Sequence, residues 1–350
     1  MNSPLPPQEN YQGLLQGIGQ LLQTARQQAA RAVNSLLVQT YWHIGQYIVE
    51  YEQGGNEKAE YGSGLLDRLS KDLSALHGKG FSRSNIYYMR KLYLTFQNSE
   101  TLSHKLTWSH YFEILKADEP LEISFYTRQT AIENWSVREL KRQMKSMLFH
   151  RLALSKNKDE VLKLASQGNE LLKPEDLLKE PFVLEFLNIP QSHILNETQL
   201  EQKIIDHLQY FILELGKGFA FIARQYRMSI GGKHFYADLL FYHRILKCFV
   251  VIDLKRGEIT HQDIGQMNLY LNYFAKEENV EGDNQPVGIV LGAYKDHFLV
   301  EYATASITNK ILLAKYLLYL PDKELLSRQL DRLLQQEDIQ QQLTEGDVDE

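Results

Sequence analysis

FYADLLFYHRILKCFVVIDLK, residues 235–255, reads as two apolar β-strands around a short turn, with an aspartate in the first and Asp-Leu-Lys closing the second. Side chains alternate faces along a strand, so Asp253 and Lys255 share one face and Leu254 takes the other. A hairpin turning near residues 244–246 sets Asp238 roughly opposite Asp253. Two carboxylates and an ammonium then converge in one side-chain layer, inside strands where an unpaired charge is costly. Neighbouring carboxylates repel unless something positive lies between them. A divalent cation with oxygen ligands, magnesium above all, satisfies both and keeps positions open for water and phosphate. Lys255 would orient or deprotonate an attacking water, or stabilise charge developing on the phosphate. Taken alone, the triplet is equally a strand-end ion pair, with Asp238 a solvated turn residue.

Working outward, β-branched and aromatic runs around this stretch predict strands over 219–227, 234–242, 247–254, 286–292 and 311–319. Helices are expected over 197–216, 261–275 and near 296–304. The result is an α/β domain, a mixed sheet flanked by helices, over residues 181–322. Gly231-Gly232 reads as a two-residue hairpin turn. The N-terminal part differs: apolar residues recur at three and four spacing from Tyr11 to His77, and helices follow to about residue 155. Within it, GSGLLDRLSKDLSALHGKGFSRSNIYYMRKLYLTF (62–96) has the outline of a helix-turn-helix, broken by Gly78 and Gly80 and capped by Ser82. Ser136 and Glu139 form a capping box. The polar run 156–180 is taken as a linker. Residues 323–350 are taken as an acidic tail, an exposed helix fading into disorder.

The net charge of −6 hides an uneven distribution. Residues 322–350 hold nine acidic and three basic side chains, which accounts for all of it. Residues 79–160 hold fourteen basic and nine acidic ones, net +5, which permits a polyanionic partner. Arg83, Arg90 and Lys91 on the second helix of the pair, and Arg138, Arg142 and Lys145 at i, i+4, i+7 of a later one, are candidate phosphate contacts; Arg224 is another. Equally, these are the solvated face of a helical bundle. No apolar run is long enough to span a bilayer, and the N-terminus lacks the pattern of a secretory signal. One cysteine, Cys248, excludes a disulfide framework and a thiolate zinc cluster, and leads to the expectation of a reducing cytoplasm.

Asp238 followed by Asp253-Leu254-Lys255 at the end of an apolar strand is similar to the PD-(D/E)XK nuclease core. Gln266-Met267-Asn268-Leu269-Tyr270 resembles the Gln-x-x-x-Tyr signature of its RecB-like branch, and i, i+4 spacing puts Gln266 and Tyr270 on one helical face. The resemblance implies a further acidic metal ligand on the first core helix; Glu201 is preferred and Glu214, beside Gly216, competes. From about residue 15 to 320 the chain resembles the YhcG-like family of bacterial proteins, through YWHIGQYI, YGSGLLDRLSKDL, GFSRSNIYYMRKLY, LTWSHYFEIL, FILELGKGFAFIARQ and DLLFYHRILKCFVVIDLK. Ala237 stands where the motif's name has proline, which is not a ligand. Asp253 stands where many members have glutamate, an arm shorter by one methylene.

This resemblance implies a helical N-terminal domain (11–155) before a PD-(D/E)XK restriction-endonuclease-like domain. The expected activity is hydrolysis of DNA phosphodiesters by a metal-dependent endonuclease in recombination, repair or defence. Asp238, Asp253 and Glu201 would hold Mg2+ or Mn2+, Lys255 would assist the water, and Gln266 and Tyr270 would position ligands or backbone. The N-terminal domain would bind DNA or a protein partner, and a homodimer would supply the two cuts a duplex needs. The alternative is a non-catalytic nucleic-acid-binding or scaffold protein that retains the fold.

Overall fold

A computed structural model describes residues 8–53, 62–154, 156–179, 181–189, 196–294 and 308–346. The chain divides into two compact units, Met1–Lys141 and Arg142–Glu350. The first is helical: α1 (Gln8–Gln53), α2 (Gly62–His77), α3 (Arg83–Thr95), α4 (Trp108–Ile114) and α5 (Pro120–Glu133). The helix-turn-helix outline is present in α2 and α3. Gly78 and Gly80 both adopt positive φ, and Ser82 Oγ accepts the Asn85 amide at the start of α3. Ile86, Met89 and Leu92, one stripe of α3, are fully buried, as are Tyr111, Ile114, Phe125 and Tyr126. Next, α6 (Val137–Lys145) opens with the expected capping box, Ser136 N donating to Glu139 and Glu139 N to Ser136.

The second unit holds a six-stranded mixed sheet. Its strands are β1 (Phe182–Val183), β2 (Phe219–Ile230), β3 (Lys233–His243), β4 (Cys248–Glu258), β5 (Val287–Tyr294) and β6 (Lys310–Leu317), in spatial order β1-β6-β5-β4-β3-β2. The β2–β3–β4 meander is antiparallel; β4–β5, β5–β6 and β6–β1 are parallel. Gly231 and Gly232, both at positive φ, close β2 onto β3 in the two-residue turn the sequence suggests. One face of the sheet packs on α9 (Glu197–Asp206) and α10 (Leu208–Leu215), where Leu200, Ile204 and Phe211 meet Phe241, Ile252 and Leu254. The other packs on α11 (His261–Tyr273), where Ile264, Met267, Tyr270 and Leu271 meet Leu240, Val251 and Val290. Gly288 of β5 lies under Met267, so close that a Cβ would fall 2.6 Å from its sulfur; α11 sits low on the sheet for that reason.

Several expectations need revision. The helix expected over 197–216 is two helices, parted at His207, which leaves helical geometry at φ −119° and caps α9. The segment expected as a linker is folded, because its apolar residues have somewhere to go. Beyond α7 (Leu148–Ala153), α8 (Lys158–Gln167) is closed by an Asn157/Glu160 capping box and buries Val161, Leu164 and Ala165. The two-residue β1 extends the sheet beyond β6 with no pattern long enough to announce it. The tail's first part is α12 (Lys323–Gly346), and it is not wholly exposed: Leu326 and Leu330 are buried. The helix expected near 296–304 lies outside the described residues.

Candidate active site

The site forms where β3, β4, β2, α9 and α11 meet. In the hairpin Leu239 pairs with Ile252, and the same register carried one residue further sets Asp238 against Asp253. Asp238 Oδ2 accepts the Leu254 amide at 2.9 Å, which ties the first carboxylate to the strand bearing the second. Asp253 is 3% exposed. Lys255 Nζ lies 2.8 Å from Asp253 Oδ2 and 3.4 Å from Asp263 Oδ1. Asp263 is itself fixed, since its other oxygen accepts from Thr260 N and Oγ1 at the start of α11. On α11, Gln266 donates to the Tyr270 hydroxyl, which donates in turn to the Tyr236 carbonyl at 3.1 Å. The i, i+4 pair is therefore one hydrogen-bonded unit anchored to β3.

Glu201 joins through a residue that the alternation of β2 only hinted at. Gln225 Nε2 donates to Glu201 Oε2 at 2.6 Å and to Asp238 Oδ1 at 3.0 Å, one amide spanning two carboxylates. Its backbone has φ +47°, left-handed geometry in the middle of a strand, which side chains with a Cβ adopt at a cost of about 1–3 kcal/mol. Strand β2 also shifts register between Phe221 and Ala223, so its alternation cannot be counted straight through to this position. Asp263 and Glu197 were missed too; Glu197 Oε1 accepts the Arg256 amide at 3.2 Å, just past Lys255. Glu197 owes its place to helix packing, whereas Asp263 closes a Thr260-x-x-Asp263 capping box, a local pattern the sequence carries.

The electrostatics are those of crowded acids. Burial is the largest influence on all three carboxyls and raises the pKa of each. Asp253 goes to about 7, with the like charge of Asp238 adding to the rise and Lys255 opposing it. For Lys255 burial pulls downward, but the facing Asp253 and Asp263 outweigh it and hold the ammonium protonated. Asp238 and Asp253 titrate as a pair; the direction is two carboxyls that keep a proton unusually late beside a lysine that stays cationic. A cationic Lys255 cannot deprotonate water, which leaves it the orienting and charge-stabilising roles.

Do these residues suit a metal ion? Asp253 Oδ2 is buried, and the Lys255 ammonium at 2.8 Å is its charge partner. A second carboxylate lies alongside, and an excess of negative charge is disfavoured by burial. Hard oxygen donors in that state fit a hard divalent cation. Asp238 and Asp253 are the pair that would hold it. Among the described residues no three acidic, imidazole or thiol groups are gathered as a ready cage, and Glu201 reaches Asp238 only through Gln225.

Glu214, the competitor for Glu201, belongs elsewhere. It is fully buried, 2.6 Å from Arg151 and 3.3 Å from Arg142, and accepts the Val183 amide, while Lys179 donates to its carbonyl. Burial would raise its pKa, but these cations bring it down to about 2. Several candidate phosphate contacts are likewise engaged within the fold. Arg90 pairs with Glu52 at 2.8 Å, Lys91 donates to the Ala117 carbonyl, and Arg142 spans Glu185 and Glu214. Arg83 is exposed but pairs with Asp67. Arg138 and Lys145 are exposed on α6. Arg224 lies beside the site, donating to Gln202 and 3.8 Å from Glu201.

A mixed sheet between helices is the architecture of the PD-(D/E)XK nuclease domains, and the family match places the chain in that class. Residues 175–331 match the family model described as the YhcG PDDEXK nuclease domain, and residues 17–151 match the DUF1016 N-terminal domain. The chain is 38% identical to the Escherichia coli (strain K12) protein named "Putative nuclease YhcG" over 354 residues, covering 92% of this chain and 94% of that protein. The chain belongs to the YhcG family. Among solved structures, a repair endonuclease from Pyrococcus abyssi superposes at TM-score 0.27 with 17% identity, over 38% of this chain and 50% of that one. Apo EndoMS gives TM-score 0.25, also at 17% identity, over 38% and 49%. No residue correspondence follows from superpositions this loose.

Proposed function

We propose that the protein is an endonuclease that hydrolyses DNA phosphodiesters with a divalent metal, magnesium or manganese, held by Asp238 and Asp253. The observation that carries this is the buried Asp253 carboxylate, crowded by a second carboxylate at Asp238 and faced by the Lys255 ammonium at 2.8 Å. A bound cation supplies Lewis acidity toward the phosphate and a water of lowered pKa. The chain's own residues do the rest. Lys255, cationic and steadied by Asp263, stabilises negative charge developing on the phosphate. Gln225 holds Glu201 beside Asp238, where Glu201 would supply a further oxygen donor to a bound cation. Gln266 and Tyr270 fix the β3 edge on which Asp238 rides.

In this reading the helical segment 11–155 selects DNA or a protein partner. Of its candidate phosphate contacts, Arg138 and Lys145 face solvent and Arg83 pairs with Asp67, with Arg224 nearer the chemistry, while Arg90, Lys91 and Arg142 serve the fold. A cytoplasmic site of action accords with the single, buried free cysteine Cys248. No helix among the described residues is long and apolar enough to cross a membrane.

The test incubates purified protein with single-stranded, duplex and branched DNA and with RNA, with and without Mg2+ or Mn2+. Metal-dependent DNA cleavage by wild type, absent from Asp253→Ala and Lys255→Ala, is the expected result. Cleavage that survives both substitutions would overturn the site. Nucleic-acid binding without cleavage under every condition would favour the non-catalytic alternative.

A further inference from the structure

Among the described residues, none packs on the N-terminal half of α1. Every residue from Gln12 to Val33 is exposed, and the helix enters its unit's core only from Val38 and Trp42 onward. Large apolar side chains in this part expose about half or more of their surface, from Ile18 at 49% to Leu21 at 69%, and Leu36 just beyond it is 65% exposed. Gly13, Gly17 and Gly19 weaken a helix that stands alone, so its helicity needs a partner surface.

The spacing says which partner. Leu15, Ile18, Leu22, Ala25, Ala29, Ala32 and Leu36 follow one another at intervals of three and four, three heptads of a and d positions. We infer that this seam pairs with the same helix of a second copy, in parallel and in register. Charge narrows the occupant by exclusion. Between Gln12 and Leu37 the only charged residues are Arg26 and Arg31, and the flanks are mostly glutamine. Two arginines are too few to grip a nucleic acid or an anionic membrane surface, and no carboxylate is present to attract a basic partner. The direction follows from Arg26, at an e position: parallel pairing sets it beside Leu21 of the other copy, whereas a fully overlapped antiparallel pair sets Arg26 against Arg26. Leu15, Ile18, Leu22 and Leu36 on the seam, flanked by Leu14, Leu21 and Val33, form one continuous exposed apolar strip for a second helix to cover.

Sedimentation equilibrium on the full chain tests this. Wild type is expected at twice 40.7 kDa, and Ile18→Lys/Leu22→Lys at the monomer mass with dissociation at least 100-fold weaker. The outward-facing control Gln20→Lys is expected to stay dimeric. Circular dichroism and the melting temperature of the double variant guard against misfolding. Should that variant be unstable, Leu22→Cys gives a second reading: in-register parallel helices oxidise to a disulfide-linked dimer, while antiparallel ones set residue 22, an a position, against a d position such as 25 or 32 and do not. A monomeric wild type, a double variant that still dimerises, or a Leu22→Cys protein that does not crosslink would each overturn the inference. So would a monomer whose residues 12–37 are instead protected by duplex DNA or by anionic vesicles.

Discussion

Asp253→Asn gives the sharpest test of the site, because it separates stability from activity. The carboxyl is raised from 3.8 to about 7, first by burial and then by Asp238. A folded-state pKa above the unfolded one means that the native state holds its proton more tightly, so stability falls as pH climbs between those values. Three units at 1.36 kcal/mol each set a ceiling of about 4 kcal/mol at pH 8. The isosteric amide removes that penalty. It also strips Lys255 of its 2.8 Å partner and leaves it Asp263 alone, which takes back part of the gain. A net stabilisation of about 2 kcal/mol remains, or roughly 4–8 °C in melting temperature for a unit of this size. Thermal unfolding in EDTA should therefore show Asp253→Asn melting above wild type at pH 8, with the gap shrinking to about a quarter at pH 4.5. Adding Mn2+ should raise wild type and leave the variant where it was, and the variant should not cleave. If Asp253→Asn melts below wild type at pH 8 without metal, the carboxylate is a net-favourable partner of Lys255, and the crowded-acid account of the site fails.

Three further outcomes follow from the same geometry. Gln225→Gly relieves the left-handed backbone but deletes the amide, so its melting temperature should stay within about 2 °C of wild type while cleavage drops at least tenfold; unchanged cleavage would remove Gln225 from the site. Glu214→Gln strands the buried Arg151 and should cost about 3–5 kcal/mol in chemical denaturation. Because the wild-type pKa is depressed to about 2, the ion pairs' contribution is present above pH 4.5 and fades as pH drops toward 2, and a variant with wild-type acid sensitivity would contradict this. Finally, Arg138→Gln/Lys145→Gln should flatten the dependence of DNA affinity on salt by about one to two in log-log slope. Arg90→Ala, which removes the partner of Glu52, should lower the melting temperature and leave that slope alone.

Much of this molecule is legible in residues 235–255. Alternation along two strands and a turn near residue 245 suffice to bring Asp238, Asp253 and Lys255 together, since strand side chains repeat every two residues whatever the surrounding fold. The i, i+4 pair of α11 is local in the same sense, and so are the caps at Ser82 and Ser136. Helical periodicity likewise reports the N-terminal bundle, and the resemblance to the YhcG family rests on runs that survive as strings.

What the sequence leaves open is whatever depends on a contact between distant segments. Glu201 and Glu214 are both acids on helices before the sheet, and no local pattern separates them. Tertiary packing sends Glu214 into a cluster of three cations and brings Glu201 to Gln225. Gln225 matters only because a bulge and a left-handed residue turn its amide between two carboxylates that lie 24 positions before it and 13 after. A basic residue in a string is also not yet a free cation: Arg90 and Arg142 are taken up by Glu52, Glu185 and Glu214, and only folding supplies those partners. Local periodicity is fixed by covalent geometry, so it can be read directly. Charge neutralisation and burial are sums over neighbours, and those neighbours are assigned by the fold.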